Sequence, residues 1–403
     1  MRTSLSCFCF CPVSESKLKK KPSKGTAISS LPQHLCRRFS LDEIRVATNN
    51  FDSHLVLGKG GSAVVYKGFF DDGASVFAVK YLQLGSSRHR ILDDFRNEVQ
   101  LLCQLRHQHI VSLIGFCYEE DKMIIVYNYM SQGMLFDHLH GTGHHDPLPW
   151  KQRLEICIGI ARGLHYLHAG AKRAMTKRLS KIADFTLSKI GPFSLSNAPI
   201  RIELPPLDEI ELETSRTRLF GTLGYVAPEL FIDATLVTEK SNVYSFGVVL
   251  LEVLCGRKVL KFDAGDHNHR HIISWVNEHL KNGRIYQMTD PYLEGKIAPS
   301  CLQKFLDIAL SCVHVEEHKR PALGEAEVTL ELALELQNKA EFGVKRLNPH
   351  GEAMYEEVDF SASAFSFSDY RIDVLWPHGS SRVEDTFSWK SEDMLSDIEE
   401  LCR

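Results

Sequence analysis

Long hydrophobic runs are missing from this sequence, and their absence limits where the chain can reside. Apolar stretches such as residues 246–255 are too short to cross a bilayer. The eleven cysteines contain no C-x-x-C pair, which disfavours zinc sites and disulfides and favours reduced intracellular thiols. A net charge of −4 over 403 residues creates no field that would attract nucleic acid. We therefore expect a cytoplasmic chain with no transmembrane helix and no nucleic-acid partner.

The first 38 residues have basic charge and clustered cysteines but no sustained apolar period. Three cysteines alternate with Phe and Pro over residues 7–12, and five lysines follow within residues 17–24. Clustered cysteines beside a polybasic stretch are typical of S-palmitoylation with a second membrane signal, whereas Arg2 excludes myristoylation. The alternative is a solvated charge run with incidental cysteines. We predict a disordered arm over residues 1–38, peripheral at the plasma membrane under the first interpretation.

Regular structure is expected over residues 39–342. A short helix should open this region, with one buried face made of Leu41, Ile44, Val46 and Ala47. The Ala-Glu-Leu run at 325–339 predicts the last helix. Residues 343–403 are acidic and rich in Ser with isolated aromatics, which predicts a mostly disordered tail. Helical spacing of apolar residues at 394–401 indicates either a partner-binding helix or part of a fraying tail.

A glycine-rich turn and a lysine-bearing strand follow each other near the start of this region. Residues 56–68 read VLGKGGSAVVYKG, the strand, turn and strand arrangement that lays backbone amides over ATP phosphates. Ala63 replaces the third glycine, and such a turn taken alone is equally an ordinary hairpin. Residues 76–80 read VFAVK and match V-A-I-K, whose lysine contacts the α- and β-phosphates and pairs with a helix glutamate. The lysine here is Lys80.

Glu98 is the expected glutamate partner, because apolar residues at 95, 99 and 102 recur on one helix face beside it. The alternative is a surface carboxylate. A buried-strand run at 123–127 then leads to residues 128–130, where a hinge would hydrogen-bond adenine. Tyr127 would stand at the gatekeeper position of that hinge.

Several motifs in the right order give the chain a family resemblance. They are FSLDEI and ATNNF within 39–51, RHQHIV at 106–111, LIGFC at 113–117 and YSFGVVLLE at 244–252. From about residue 39 to 339 the chain resembles plant receptor-like kinases of the Pelle/IRAK type, and without a transmembrane helix it would be a receptor-like cytoplasmic kinase. The resemblance implies an α+β, two-lobed protein-kinase fold. Its N-lobe, about 50–126, would be a small antiparallel sheet with one main helix, and its C-lobe, about 131–342, would be mostly helical.

The resemblance also implies ligands and partners. ATP and Mg²⁺ are the expected cofactors, with Asp184 of Asp184-Phe185 as the metal ligand. Other signalling kinases or receptors are the expected partners. The residues implied to contact the nucleotide or its metal are Leu57, Gly58, Gly60, Val65, Ala78, Lys80, Glu98, Met130 and Asp184.

The catalytic loop is where the chain departs from this pattern. H-R-D-x-x-x-x-N supplies the aspartate that accepts the substrate proton and the asparagine that holds a second Mg²⁺. Neither Asp nor Asn occurs between Ala169 and Ala183. Six residues separate Ala174 from Lys181, and at about 3.3–3.6 Å each they reach about 25 Å at most, too little for the loop and its two strands. We therefore assign no catalytic residue.

Two further departures accompany the missing loop. Thr186 replaces the glycine of D-F-G, and Asn242 stands where the family has an aspartate that hydrogen-bonds the catalytic-loop backbone. The structural motifs beyond them are kept: residues 221–229 match the end of an activation segment, and we expect Glu229 to pair with Arg320.

The activation segment itself is unusually long. Between residues 191 and 216 it contains four prolines and an acidic run, which predicts a mobile segment. Ser215, Thr217 and Thr222 are either phosphorylation sites or ordinary solvated side chains.

Three interpretations follow from the sequence. The favoured one is a pseudokinase that binds partners, and nucleotide if the upper half of the site is intact, as a signalling scaffold or regulator. The second is an active serine/threonine kinase, if the gap comes from a faulty transcript or gene model. The third is a C-lobe that does not fold stably, because losing two strands would leave backbone groups unpaired.

Overall fold

A computed structural model describes much of the chain and divides it into two compact units. The described residues are 2–4, 10–12, 36–59, 63–83, 88–141, 146–169, 181–183, 189–191, 200–201, 222, 224–232, 236–261, 271–347 and 353–358. We call the unit with described residues 36–132 the N-lobe. The C-lobe comprises the described residues from 133 onward together with 2–4 and 10–12.

The described residues form a sheet-based N-lobe and a helical C-lobe, which confirms the predicted two-lobed kinase fold class. The strands are β1 (Arg2–Ser4), β2 (Phe10–Pro12), β3 (Arg37–Arg38), β4 (Val56–Lys59), β5 (Ala63–Phe70), β6 (Ser75–Leu82), β7 (Leu113–Glu119), β8 (Lys122–Asn128), β9 (Lys181–Ala183), β10 (Lys189–Gly191), β11 (Ile200–Arg201) and β12 (Leu236–Val237). The helices are α1 (Leu41–Ala47), α2 (Arg88–Leu102), α3 (Leu135–His140), α4 (Trp150–Ala169), α5 (Glu229–Ile232), α6 (Glu239–Cys255), α7 (Ile272–Lys281), α8 (Pro299–Cys312) and α9 (Leu323–Leu347).

The N-lobe sheet has the strand order β3-β7-β8-β6-β5-β4. Neighbouring strands in this sheet run antiparallel, except that the short edge strand β3 runs parallel to β7. Alternate side chains of the central strands, among them Val79, Ile124 and Val126, are fully buried in one hydrophobic cluster. This cluster fixes the register of β6 and β8, the two strands that carry Lys80 and Tyr127.

Helix α1 covers this cluster, and its start is set by a capping box. The Ser40 hydroxyl accepts a hydrogen bond from the backbone N–H of Glu43, whose carboxylate accepts one from the N–H of Ser40. Leu41, Ile44 and Ala47 are buried as predicted. The prediction for Val46 was wrong: its side chain is 83% exposed. At 100° per residue it lies well away from the face shared by the other three.

The C-lobe is built around α6. Every residue from Ser241 to Cys255 is buried, because this helix is surrounded by other parts of the lobe, and a helix buried on all sides has a continuous apolar sequence. Helices α4 and α8 pack on α9, and α8 also packs on α6. Among the described residues, no helix combines the length and hydropathy that a membrane span requires.

The end of the domain lies further along the chain than predicted. Helix α9 runs from Leu323 to Leu347, so the expected boundary at residue 342 falls inside it. Residues 353–358 of the predicted disordered tail also have a defined position, because the backbone N–H of Tyr355 donates to the carbonyl oxygen of Gly295 at 2.8 Å. The amino-acid composition of the tail could not predict this hydrogen bond, because the bond joins main-chain atoms.

The arm predicted to be disordered over residues 1–38 contains short strands. β1 pairs in parallel with β9, and β2 pairs in parallel with β10. β3 pairs with β7 of the N-lobe sheet. The physical reason is that unpaired strand edges accept any chain segment that can complete their main-chain hydrogen bonds. β9 and β10 lie on either side of Asp184-Phe185 in the sequence.

Several predictions fall on residues outside the described part of the chain. They concern Gly60, the gap at 170–180, Asp184, Thr186, most of the activation segment with Ser215 and Thr217, the lysines at 17–24, Cys7 and Cys9, and the segment 394–401. Thr222 is described and exposed.

Candidate functional site: a nucleotide half-site and a braced C-lobe

The glycine-rich motif forms the predicted antiparallel hairpin. β4 pairs with β5, with Gly58 opposite Val65 and a register shift between Val56 and Gly58. Leu57 is 37% exposed, Val65 is half-buried, and nothing lies within 4 Å of the position that a Cβ on Gly58 would take. The hairpin thus presents an apolar edge and an open backbone, the surfaces that a nucleotide base and its phosphates can contact.

Lys80 and Glu98 lie together, as expected for the lysine and its helix partner. The Nζ of Lys80 on β6 is 2.9 Å from Oε2 of Glu98 on α2. The Lys80 side chain is 11% exposed and that of Glu98 only 1%. The surface-carboxylate alternative for Glu98 is therefore wrong. Removing one partner of a buried pair leaves an uncompensated charge, at a cost of about 3–5 kcal/mol.

A third side chain, Tyr127, completes this pair. Its Oη donates to Oε1 of Glu98 at 2.6 Å, so the two carboxylate oxygens have different partners. Tyr127 lies opposite Ala78 in the ladder between β6 and β8, and both residues are buried. The gatekeeper assignment did not anticipate this bond. The signal was available, because a Tyr inside a buried apolar strand needs a partner for its hydroxyl.

Met130 follows β8 in the segment predicted as the hinge. It is half-buried and lies two residues before Gln132, the last residue of this stretch of the N-lobe. Asn128 anchors the start of the segment by donating its backbone N–H to the carbonyl oxygen of Ser112 at 3.1 Å. The structure describes seven of the nine proposed contacts, all of them in the N-lobe. Six lie on β4, β5, β6 and α2, and Met130 lies in the segment after β8. Gly60 and Asp184 lie outside the described residues.

In the C-lobe, Asn242 of α6 has a buried polar partner at the end of α4. Its Nδ2 lies 3.0 Å from Nε2 of His168, and Oε2 of Glu239 lies 3.8 Å from Nδ1 of the same ring. Burial, with the nearby charges of His165 and Lys240, lowers the pKa of His168 to about 3. The ring is therefore neutral near pH 7, and Nε2 can accept from the Asn242 amide.

Glu229 and Arg320 form the predicted buried ion pair. The guanidinium is bidentate, with Nη1 to Oε1 at 2.8 Å and Nη2 to Oε2 at 2.7 Å. Burial pushes the pKa of Glu229 upward, but the hydrogen bonds and charge of Arg320 outweigh it, and the pKa is lowered. Arg320 also donates to the carbonyl oxygens of Lys240, His314 and Val315. This pair holds the end of the activation segment against α6.

A second anchor of that segment was not expected from the sequence. The Oη of Tyr225 donates to Oε2 of Glu252 at 2.7 Å, and Nε2 of His140 lies 2.8 Å from the other oxygen. Glu252 is 5% exposed. The sequence could have indicated these partners, because Glu252 ends the apolar run YSFGVVLLE and a carboxylate inside a buried helix requires hydrogen-bond partners.

The described groups could contact phosphate, but they do not form a metal site. Lys80 is a fixed cation suited to phosphate oxygens, but among the described residues no group of three or more His, Cys, Asp or Glu side chains could hold a metal ion. Asp184, the expected Mg²⁺ ligand, lies outside them. The described C-lobe residues serve packing and bracing, with their polar groups facing one another.

Comparisons with known proteins agree with this architecture. The protein kinase domain family matches residues 51–329. Three Arabidopsis thaliana relatives are the receptor-like protein kinase FERONIA, 43% identical over 335 residues (80% of this chain, 35% of the relative), ANXUR2, 40% over 350 (84% and 38%), and THESEUS 1, 41% over 339 (81% and 37%). The chain thus spans a little over a third of the length of these relatives. It belongs to the protein kinase family, and the relatives it matches are receptor-like protein kinases.

Proposed function

We propose that this chain is a pseudokinase of the receptor-like kinase group that binds ATP and acts as a signalling scaffold or regulator without transferring phosphate. One observation carries the proposal. The sequence between Ala169 and Ala183 has neither the aspartate nor the asparagine of a catalytic loop, while Lys80 and Glu98 remain paired at 2.9 Å.

The loss bears on catalysis because phosphoryl transfer depends on positioning and electrostatics. Removing a general base typically lowers the rate by roughly 10²–10⁴-fold, and a lost metal ligand adds to that. The side chains near the gap do not substitute, since Lys177 and Arg178 are cations and Ser180 is a very weak acid.

Nucleotide binding is supported by the N-lobe residues. Glu98 holds Lys80 in place, Tyr127 holds Glu98, and the β4–β5 hairpin leaves its backbone open at Gly58. A cation that is already ordered loses little entropy when it meets a phosphate. The groups proposed to hold ATP are Leu57, Gly58, Gly60, Val65, Ala78, Lys80 and Met130, with Glu98 orienting the lysine and Asp184 as the Mg²⁺ ligand.

An active serine/threonine kinase is the second candidate. The intact Lys80–Glu98 pair favours it, because active kinases require this pair. It predicts a transcript that restores H-R-D before Lys181, and measurable transfer of labelled phosphate from ATP to a protein substrate.

Membrane association is a separate part of the proposal and rests on the arm. The C-x-C-x-C cluster and the lysines at 17–24 supply the two signals that stable anchoring requires. Other signalling kinases or receptors at the cytoplasmic face of the plasma membrane are the proposed partners. Cellular fractionation tests this: replacing Cys7, Cys9 and Cys11 with Ser should move the chain from the membrane to the soluble fraction, and an unchanged distribution would contradict it.

Thermal unfolding with and without Mg-ATP tests the nucleotide proposal. At ligand about a hundredfold above Kd, the chain should gain about 2.7 kcal/mol of stability. Lys80→Met should abolish the shift, whereas Lys339→Met, at a side chain 68% exposed on α9, should keep it. A cooperative transition without any shift would make the chain a scaffold that does not sense nucleotide. Absence of a transition would support the unstable C-lobe instead.

A further inference from the structure

The chain returns to the C-lobe after its last helix through residues 353–358. Besides the Tyr355 N–H bond to Gly295, the N–H of Val358 donates to Oη of Tyr286 at 2.9 Å. Gly295 has φ +67°, and a Cβ there would lie 2.5 Å from Cε of Met354. This left-handed backbone conformation favours glycine. We call residues 353–358 the clasp.

Tyr355 of the clasp lies against the C-lobe and is partly buried. Its ring helps to line a small cavity together with Leu293, Ile297 and Leu302. Its hydroxyl oxygen is buried, and no hydrogen-bond partner for it is present among the described residues. A buried hydroxyl without a partner is unfavourable, so packing of the ring stabilises the closed clasp while the hydroxyl destabilises it.

The surroundings of that hydroxyl are apolar and acidic. Burial raises the pKa of Tyr355 to about 12, and the nearby charge of Glu341 acts in the same direction. Glu294 and Glu357 also line the cavity. Two lysines near this region have other partners: the Nζ of Lys151 is 3.2 Å from Oε2 of Glu341, and the Nζ of Lys296 is 4.0 Å from the centre of the Tyr292 ring. This seat therefore tolerates a neutral phenol and opposes an anion.

Release of the clasp breaks few contacts. Among the described residues, the N–H of Tyr355 donates to a main-chain carbonyl and the N–H of Val358 to a side-chain hydroxyl. Met354 and Val358 are 56% and 51% exposed. A segment with so little buried surface belongs to the low-stability end of local opening. The open state is thus accessible from the folded C-lobe without unfolding it.

We propose that Tyr355 is a phosphorylation site and that its modification keeps the clasp off the C-lobe. A phosphotyrosine adds about −1.5 to −2 charges and three acceptor oxygens, which the carboxylates around this seat repel. The modification takes place in the open state, where the hydroxyl is exposed. The phenolic oxygen attacks the γ-phosphorus of ATP on a tyrosine-directed kinase acting in trans. The new O–P bond forms as the bond to the β,γ-bridging oxygen breaks, ADP leaves, and the phenolic proton passes to that kinase's base.

The acidic residues after the tyrosine fit this role. Glu356 and Glu357 are exposed in the seated clasp, so they remain available to a basic recognition surface once the segment opens. A released clasp also uncovers Leu293, Ile297 and the carbonyl oxygen of Gly295, a new apolar surface on the C-lobe.

Hydrogen exchange on the full chain tests the proposal directly. Phosphotyrosine is installed at position 355 by translation, and exchange is followed at the amides of Tyr355 and Val358. Both should exchange at least about tenfold faster than in the unmodified chain, while the amides of α8 keep their rates. Unchanged protection at the two clasp amides would overturn the proposal, as would equal acceleration in α8, which would indicate general unfolding.

Two variants test whether release depends on where the phosphate is placed and whether modification requires the clasp to open. Phosphotyrosine at exposed position 356, in a Tyr355→Phe background, should leave clasp exchange within about twofold of Tyr355→Phe alone. Tyr286→Phe removes the acceptor of the Val358 N–H, so a purified tyrosine kinase with Mg-ATP should modify Tyr355 faster in this variant. Equal rates in Tyr286→Phe and the unmodified chain, or clasp release by phosphate at 356, would contradict the proposed mechanism.

Discussion

Each of the two lobes contains a buried ion pair, and the two pairs differ in what they do. In the N-lobe, the buried pair Lys80–Glu98 joins β6 to α2 and is reinforced by Tyr127, and these are groups that nucleotide chemistry uses. In the C-lobe, the buried pair Glu229–Arg320 is equally well formed but braces the fold. The catalytic side chains expected beside it are missing from the sequence. The comparison distinguishes a buried pair placed where a kinase contacts nucleotide from a buried pair that ties Glu229 of α5 to Arg320 and so braces the fold.

Breaking the C-lobe pair should give the largest effect. Arg320→Ala leaves Glu229 buried without its cation, at a cost of about 3–5 kcal/mol in the free energy of unfolding. Urea denaturation followed by circular dichroism measures this. The control is Arg37→Ala, whose pair with Glu43 is about half exposed and should contribute at most about 1 kcal/mol. Equal losses in the two variants would show that the C-lobe pair is not a structural brace.

Removing one hydroxyl should weaken the N-lobe specifically. Tyr127→Phe deletes the hydrogen bond to the Glu98 carboxylate, and a bond to a charged group contributes about 1.5–3 kcal/mol. Affinity for Mg-ATP should fall together with stability, because Glu98 then holds Lys80 less firmly. Isothermal titration measures the affinity. Tyr118→Phe is the control for losing a hydroxyl elsewhere in the sheet, and a matching drop there would contradict the special role of Tyr127.

Acid should destabilise the C-lobe through His168. Its pKa lies near 3 in the folded state against 6.5 for the free side chain, so the unfolded chain binds the proton first as the pH falls. Stability from this group is therefore present above pH 6.5 and is lost progressively toward pH 3, by about 2 kcal/mol between pH 6 and pH 4. Denaturation at several pH values, with the unchanged chain and with His168→Gln, isolates the contribution of His168 to the pH dependence of stability.

The exchange of one amide for a carboxylate sharpens this test. Asn242→Asp places a negative charge at the Nε2 side of His168, which should raise the pKa of the ring and flatten the loss of stability in acid. NMR titration of the ring protons reads the pKa. His318→Gln, at a side chain 77% exposed, should change neither quantity. An unchanged pKa in Asn242→Asp would show that the two side chains are not coupled.

The smallest effect should come from the helix that covers the N-lobe sheet. Ser40→Ala removes the N-cap hydroxyl and half of the capping box, which costs about 1 kcal/mol. Hydrogen exchange should rise in α1 and leave α6 unchanged. Ser40→Thr, which restores the acceptor, should recover most of the loss.

How much the sequence could predict depended on whether a contact is tied to a motif. The two buried ion pairs were predicted, because their residues belong to motifs with fixed roles. They are Lys80–Glu98 and Glu229–Arg320. Val46 was placed on the wrong face, since four apolar residues in a seven-residue helix fit more than one stripe. Motif reasoning assigns residues to elements, and it fails where a short pattern has two solutions.

Contacts between distant segments were missed. Tyr355 was assigned to a disordered tail because its neighbours are acidic, yet its seat is built by residues 286–302, whose shape no tail composition encodes. His168 meets Asn242 across 74 positions, and the pairing of β1 with β9 spans a still longer separation. Such contacts arise from tertiary packing, which local periodicity does not describe.

The central claim is that the chain binds nucleotide without using it for phosphoryl transfer. The most direct measurement records both on one preparation: Mg-ATP binding by titration, and transfer from γ-labelled ATP to the chain itself and to a generic protein substrate, beside Lys80→Met. The account predicts saturable binding that Lys80→Met abolishes, with label incorporation equal to that of the variant. Incorporation well above Lys80→Met would contradict it.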